Sequence, residues 1–156
     1  MQVVRDAVEW VRARPEVRPS HVGLFGVSLG AFVSVGAAAT IPHVTRVVLL
    51  SGGLDPGVAD STGHFPPALL LHGTDDSEVP LADEDALLQV LRRHHALILT
   101  HRYPGEGHDF SEEAAIDAVE RAARFLKEGL IGTLLDVMRR SASRPAAADT
   151  TRPRVP

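Results

Sequence analysis

The turn Gly26-Val27-Ser28-Leu29-Gly30 constrains this chain more than any other stretch. A short apolar run, His21 to Phe25, leads into it, and a longer one, Leu29 to Ala39, leads out. The pattern is a strand, a sharp turn and a helix, with a serine at the apex. In that setting G-x-S-x-G is the nucleophile elbow, which strains the backbone at Ser28 and presents its Oγ at the end of the strand. Glycine is expected on both sides of the serine, because a Cβ two residues away would collide in so tight a turn. A plain Gly-Ser loop produces the same five letters by accident, so the rest of the chain has to decide.

Helical spacing of Val4, Ala7, Val8 and Val11, with Trp10 beside them, predicts a helix over 2–14 that Pro15 and Pro19 end. Val22 to Phe25 reads as a short continuous apolar strand of the kind buried on both faces. Leu29 to Ala39 is apolar all round, which predicts an interior helix stopped by Pro42. Arg46–Leu50, Ala68–Leu71 and Leu97–Tyr103 are three further strands. Between the first two of these lies Ser51–Pro67, a loop rich in Gly, Pro, Asp and Ser and long for a compact domain.

Leu81–His95 is a helix with Asp83, Glu84 and Asp85 in its first turn and Arg92, Arg93, His94 and His95 in its last, an order that complements the helix dipole. Residues 111–128 form an amphipathic helix capped by Asp109 or Ser111 and broken at Gly129, and Leu130 to Arg140 continues as a further helical segment. From Ser141 to Pro156 large apolar residues are scarce, and a disordered tail is expected. The order α–β–α–β–β–α–β–α predicts an α/β fold, a parallel sheet of about four strands flanked by helices.

A serine hydroxyl becomes a useful nucleophile only beside a base, and the base needs a third group to hold its tautomer and orientation. In open α/β sheets such partners lie on loops beyond the C-terminal ends of the strands. The third strand runs into His72-Gly73-Thr74-Asp75-Asp76-Ser77-Glu78-Val79-Pro80, and the fourth into Tyr103-Pro104-Gly105-Glu106-Gly107-His108-Asp109-Phe110. Each loop offers one partner, and the order Ser28, Asp76, His108 is that of the α/β-hydrolases. Spacing alone does not separate Asp75 from Asp76.

These three motifs, in register with the strands, resemble the C-terminal half of an α/β-hydrolase over residues 1–128, and most of all the dienelactone hydrolases and their serine esterase relatives. The resemblance implies Ser28 as nucleophile, His108 as general base and later acid, Asp76 as its orienting carboxylate, and the Leu29 N–H as one oxyanion donor. Dienelactone hydrolases use cysteine where this chain has Ser28, so their lactone specificity is not carried over. Members of the superfamily also have strands ahead of the first helix seen here, and a loop among them supplies a second oxyanion N–H. The expectation is therefore a half-domain over 1–140, with an exposed strand edge near Val22–Phe25 that invites association with another chain.

Three readings of function follow. The first is hydrolysis of carboxylic esters or thioesters through an acyl-enzyme. The second is a catalytically incompetent half-domain serving only folding or interaction, and the third, weaker, is a prolyl-oligopeptidase-type peptidase.

A net charge of −4 provides no basic footprint for nucleic acid, and no apolar run reaches the ~18–20 residues of a membrane span. There is no cysteine, and the N-terminus lacks a signal-peptide layout, so the cytoplasm is the default expectation. No cofactor is expected, because Gly105-x-Gly107 follows a strand without the rest of a phosphate-cradling pattern. His21, His43, His64, His72, His94, His95 and His101 follow no metal-ligand spacing and read as surface or structural residues, and Glu106 reads as solvated.

Overall fold

Short apolar strands separated by helices cannot pair as hairpins; each returns to the sheet through a crossover, which makes neighbours parallel. The computed structural model has that arrangement and describes residues 1–54 and 65–143, with side chains through residue 129. In chain order the elements are α1 (Gln2–Arg12), β1 (Val22–Val27), α2 (Leu29–Thr40), β2 (Val44–Leu50), β3 (Ala68–Gly73), α3 (Leu81–Arg93), β4 (Ile98–Tyr103) and α4 (Glu112–Ser143). The sheet runs β1-β2-β3-β4, and every adjacent pair is parallel. This is the expected parallel sheet of four strands flanked by helices. Most of the long loop after β2 (55–64) and the tail from 144 to 156 lie outside the described residues, while 141–143 close α4. The expected break falls inside α4, where Gly129 (φ 74°) joins two helical stretches across a kink.

Side chains alternate across the pleat and sort into two cores. Val47, Leu49, Ala68 and Leu70 face Val8 of α1, Val35 of α2 and Leu87 and Leu91 of α3. Val48, Leu69 and Leu71 face Ala118, Ala122 and Phe125 of α4 on the opposite side. β3, covered on both faces and paired on both edges, is buried at every residue. Among the described residues no helix is long and apolar enough to cross a membrane.

Two expectations need correction. β1 is not buried on both faces: it lies at one edge of the sheet, and Phe25 and Val27 stay 41% and 50% exposed. The apolar run was read correctly as a strand, but only β2 flanks it, and no described helix covers these side chains. α2 is interior along Ala31, Ser34, Val35, Ala37 and Ala38, yet Leu29 at its start is 76% exposed. The end that carries the elbow faces outward.

The two glycines of the elbow also differ. A Cβ on Gly26 would stand 2.2 Å from the Gly30 carbonyl oxygen and 2.5 Å from Ser34 Oγ, whereas a Cβ on Gly30 would meet nothing within 4 Å. The steric requirement thus falls on Gly26 alone, because Gly30 is already inside α2 with its Cβ direction open. Gly26→Ala is expected to destabilise the fold by about 3 kcal/mol or more through overpacking against backbone. Gly30→Ala is expected to be neutral or to stabilise by up to about 1 kcal/mol through helix propensity. Urea unfolding midpoints of the two variants check the difference.

Candidate active site

The strand-to-helix turn places Ser28 with φ 53° and ψ −123°, a backbone conformation that non-glycine residues rarely adopt. It is held there by its own N–H, which donates to the Leu50 carbonyl of β2 (2.9 Å), while the Ser28 carbonyl accepts from the Ala31 N–H (2.8 Å). The strain expected from the sequence is present. Leu29, the first residue of α2, has no carbonyl one turn earlier in the helix for its N–H to reach, so that donor lies at the positive end of the helix dipole.

The loops after β3 and β4 are tied to one another. Thr74 N–H donates to the Tyr103 carbonyl (3.0 Å), Asp75 N–H to the Glu106 carbonyl (2.9 Å), and Gly105 N–H to Thr74 Oγ1 (2.8 Å). The approach is so close that a Cβ on Gly73 would lie 2.4 Å from the Glu106 carbonyl oxygen. Through this junction the two loops bring together residues 32 and 80 positions apart in sequence: His108 Nδ1 is 2.9 Å from Asp76 Oδ2, and His108 Nε2 is 2.9 Å from Ser28 Oγ. Asp75 does not take part; it accepts from its neighbour Thr74 at the surface.

Asp76 has no exposed side-chain surface. Its Oδ1 accepts the N–H groups of Glu78 (3.0 Å) and Val79 (2.8 Å), and its Oδ2 faces His108. Burial by itself raises the pKa of the carboxyl; the Val79 N–H, the His108 ring and the Glu78 N–H outweigh it and hold the pKa below the ordinary value. Glu78 also brings a carboxylate oxygen to 3.7 Å from His108 Nε2 from the solvent side.

Glu106 is not simply solvated. Its carboxylate accepts both the N–H and the hydroxyl of Ser111 (2.7 Å each), and the Ser111 Oγ in turn accepts the Ala114 N–H (3.3 Å), so Ser111 is the cap of α4. His72, read as a surface or structural residue, and Glu84, read only as a first-turn acid, are both buried: His72 lies 3.6 Å from Asp76 and 3.2 Å from Glu84. Glu84 had a visible signal, since it continues the stripe Leu87, Leu88, Leu91 at helical spacing on the core face of α3.

The sequence profile of the dienelactone hydrolase family matches residues 1–134. The chain belongs to that family. A Synechocystis protein carrying the provisional name carboxymethylenebutenolidase is 26% identical over 140 residues, which cover 79% of this chain and 56% of the relative. The esterase PE8 structure superimposes with a TM-score of 0.70 at 24% identity, covering 83% of this chain and 60% of that one. A dienelactone hydrolase-like promiscuous phosphotriesterase from metagenomic libraries superimposes with a TM-score of 0.72 at 22% identity, over 80% of this chain and 59% of that one. The structural likenesses establish the fold. This dienelactone hydrolase family member spans a little over half the length of the relatives it matches.

The Asp76 carboxylate has a pH consequence. A carboxyl whose pKa is lower in the folded than in the unfolded chain stabilises the fold above the unfolded value, ~3.9, and that contribution is lost as pH falls through the folded value. Wild type and Asp76→Asn are therefore expected to differ most in stability above about pH 4 and to converge in stronger acid. Melting temperatures of the pair from pH 2 to 7 check it.

Proposed function

We propose that this family member hydrolyses carboxylic esters or thioesters, with Ser28 as nucleophile, His108 as general base and acid, and Asp76 as the carboxylate that orients His108. The observation that carries the reading is the continuous pair of 2.9 Å contacts from Ser28 Oγ through His108 to Asp76. Asp76, kept ionised, accepts the Nδ1–H of His108 and so leaves Nε2 unprotonated toward Ser28. His108 takes the Ser28 proton as Oγ attacks the carbonyl carbon, and the Leu29 N–H faces the developing oxyanion. Collapse of the tetrahedral species expels the alcohol or thiol, which takes the proton from His108, and leaves an acyl-Ser28 ester. Water, deprotonated by His108, then attacks that ester; as the acid leaves, His108 returns the proton to Ser28 Oγ. The esterase likenesses support the substrate class.

One observation favours a second reading, in which these residues do not turn over substrate by themselves: Phe25, Val27 and Leu29 around Ser28 stand exposed, so little apolar surface shields the serine from water. A fluorophosphonate probe separates the two. Labelling of wild type is expected to be absent in Ser28→Ala and slowed by roughly 10³–10⁴ in His108→Ala and Asp76→Asn. A folded wild-type sample that takes no label would favour the second reading.

A further inference from the structure

His72 is sealed into the core behind Asp76, and the proposed reaction makes no use of it. It lies on β3 with 1% of its side chain exposed. Its Nε2 is 2.8 Å from the Val79 carbonyl oxygen, and its Nδ1 is 3.2 Å from Oε2 of Glu84, a residue of α3 that is itself 1% exposed. Glu84 Oε1 accepts from Arg102 of β4 (3.2 Å), whereas Oε2 has no hydrogen-bond partner among the described residues, so the group facing it is the His72 ring.

A neutral imidazole carries one N–H and can serve one acceptor; this ring faces two, both buried. An imidazolium can donate to the Val79 carbonyl and still face Glu84 Oε2 as an ion pair at 3.2 Å. It also supplies the charge without which a buried carboxylate is costly. Burial alone lowers the His72 pKa, but the Glu84 carboxylate, the Val79 carbonyl and Asp76 together hold it above its ordinary value. The charged groups facing the ring are Glu84 from α3 and Asp76 from the loop after β3; Arg102 reaches it only through Glu84 and pairs also with Asp85.

The link to the site is geometric. Val79 donates its N–H to Asp76 Oδ1 and offers its carbonyl to His72, so one peptide segment is gripped from both sides. Asp76 Oδ2 lies 2.9 Å from His108 and 3.6 Å from His72 Nε2. We propose that His72, kept as an imidazolium by Glu84, is a positioning residue that fixes the Asp76 carboxylate toward His108. Its kinetic consequence rests on the catalytic reading of Ser28, His108 and Asp76; its structural consequence does not.

Nitrogen NMR of the full chain, combined with fluorophosphonate labelling and ester hydrolysis, tests this. In wild type at neutral pH both His72 ring nitrogens are expected to carry protons, and His108 Nδ1–H to give the far-downfield resonance of a histidine bonded to a carboxylate. Glu84→Gln keeps the shape and removes the charge: His72 should become neutral and the His108 resonance shift or vanish. Labelling and kcat should fall roughly 10- to 100-fold with KM unchanged, the scale of a small misplacement of a catalytic group.

Glu84→Asp, which keeps the charge, should restore part of each signal. If Glu84→Gln does not fold, His72→Gln takes its place, since its amide still has a donor for the Val79 carbonyl. A neutral His72 in folded wild type, or a His108 resonance unmoved in a folded variant that lacks the charge at position 72, overturns the proposal. Wild type that shows both resonances but takes no label counts against the triad reading instead, and the proposal then stands or falls on the NMR comparison.

Discussion

A carboxylate kept wholly out of water is the constraint on which this end of the molecule depends. An unpaired buried charge costs far more than a domain's whole margin of stability, so Asp76 can remain ionised only where donors surround it. Two of those donors are backbone N–H groups two and three residues further on, which obliges the chain after β3 to curl back upon its own aspartate. The third is His108, which obliges the loop after β4 to arrive at the same place. The bonds between Thr74, Asp75, Tyr103, Glu106 and Gly105 are the means by which it does so. The geometry at Ser28 is supported separately, by β2 and the close passage of Gly26 under Gly30.

The elements themselves were legible because each carries its own period or punctuation. β2 and β3 are short apolar runs, α3 has acids first and bases last, and Gly129 interrupts α4 where a break was expected. The loop partners of Ser28 were legible because they sit where an α/β sheet places its sites, and the choice of Asp76 over Asp75 became geometric only once the turn was seen. What sequence could not show was cover. An apolar run states that a strand has apolar side chains; it does not state what lies against them, and Phe25 and Val27 of β1 stay exposed. Glu84 failed for a related reason: an acid in the first turn of a helix satisfies the dipole whether it points to water or to the core, and only its alignment with Leu87, Leu88 and Leu91 told the difference.

Every strand pairing in the sheet is parallel, so the contacts that join Ser28, His108 and Asp76 are all long-range in sequence. Ser28, Asp76 and His108 meet only after β1 to β4 are in place, and contacts of that sequence separation form late and slowly. The buried His72–Glu84 pair, with the more exposed Arg102 at its edge, needs the same assembly, because β3, α3 and β4 must all be docked before these charges meet. Until then the Glu84 carboxylate and the His72 imidazole are solvated separately, and docking takes both out of water.

The clasp of Glu106 on Ser111 bears on this in another way. With the carboxylate holding both the amide and the hydroxyl of Ser111, residues 106–111 form a ring closed by side chain rather than by backbone, anchored to the first turn of a helix packed on the sheet. His108 sits inside that ring. Its freedom is given up when the chain folds, so in the proposed reaction the imidazole is held before any carbonyl arrives.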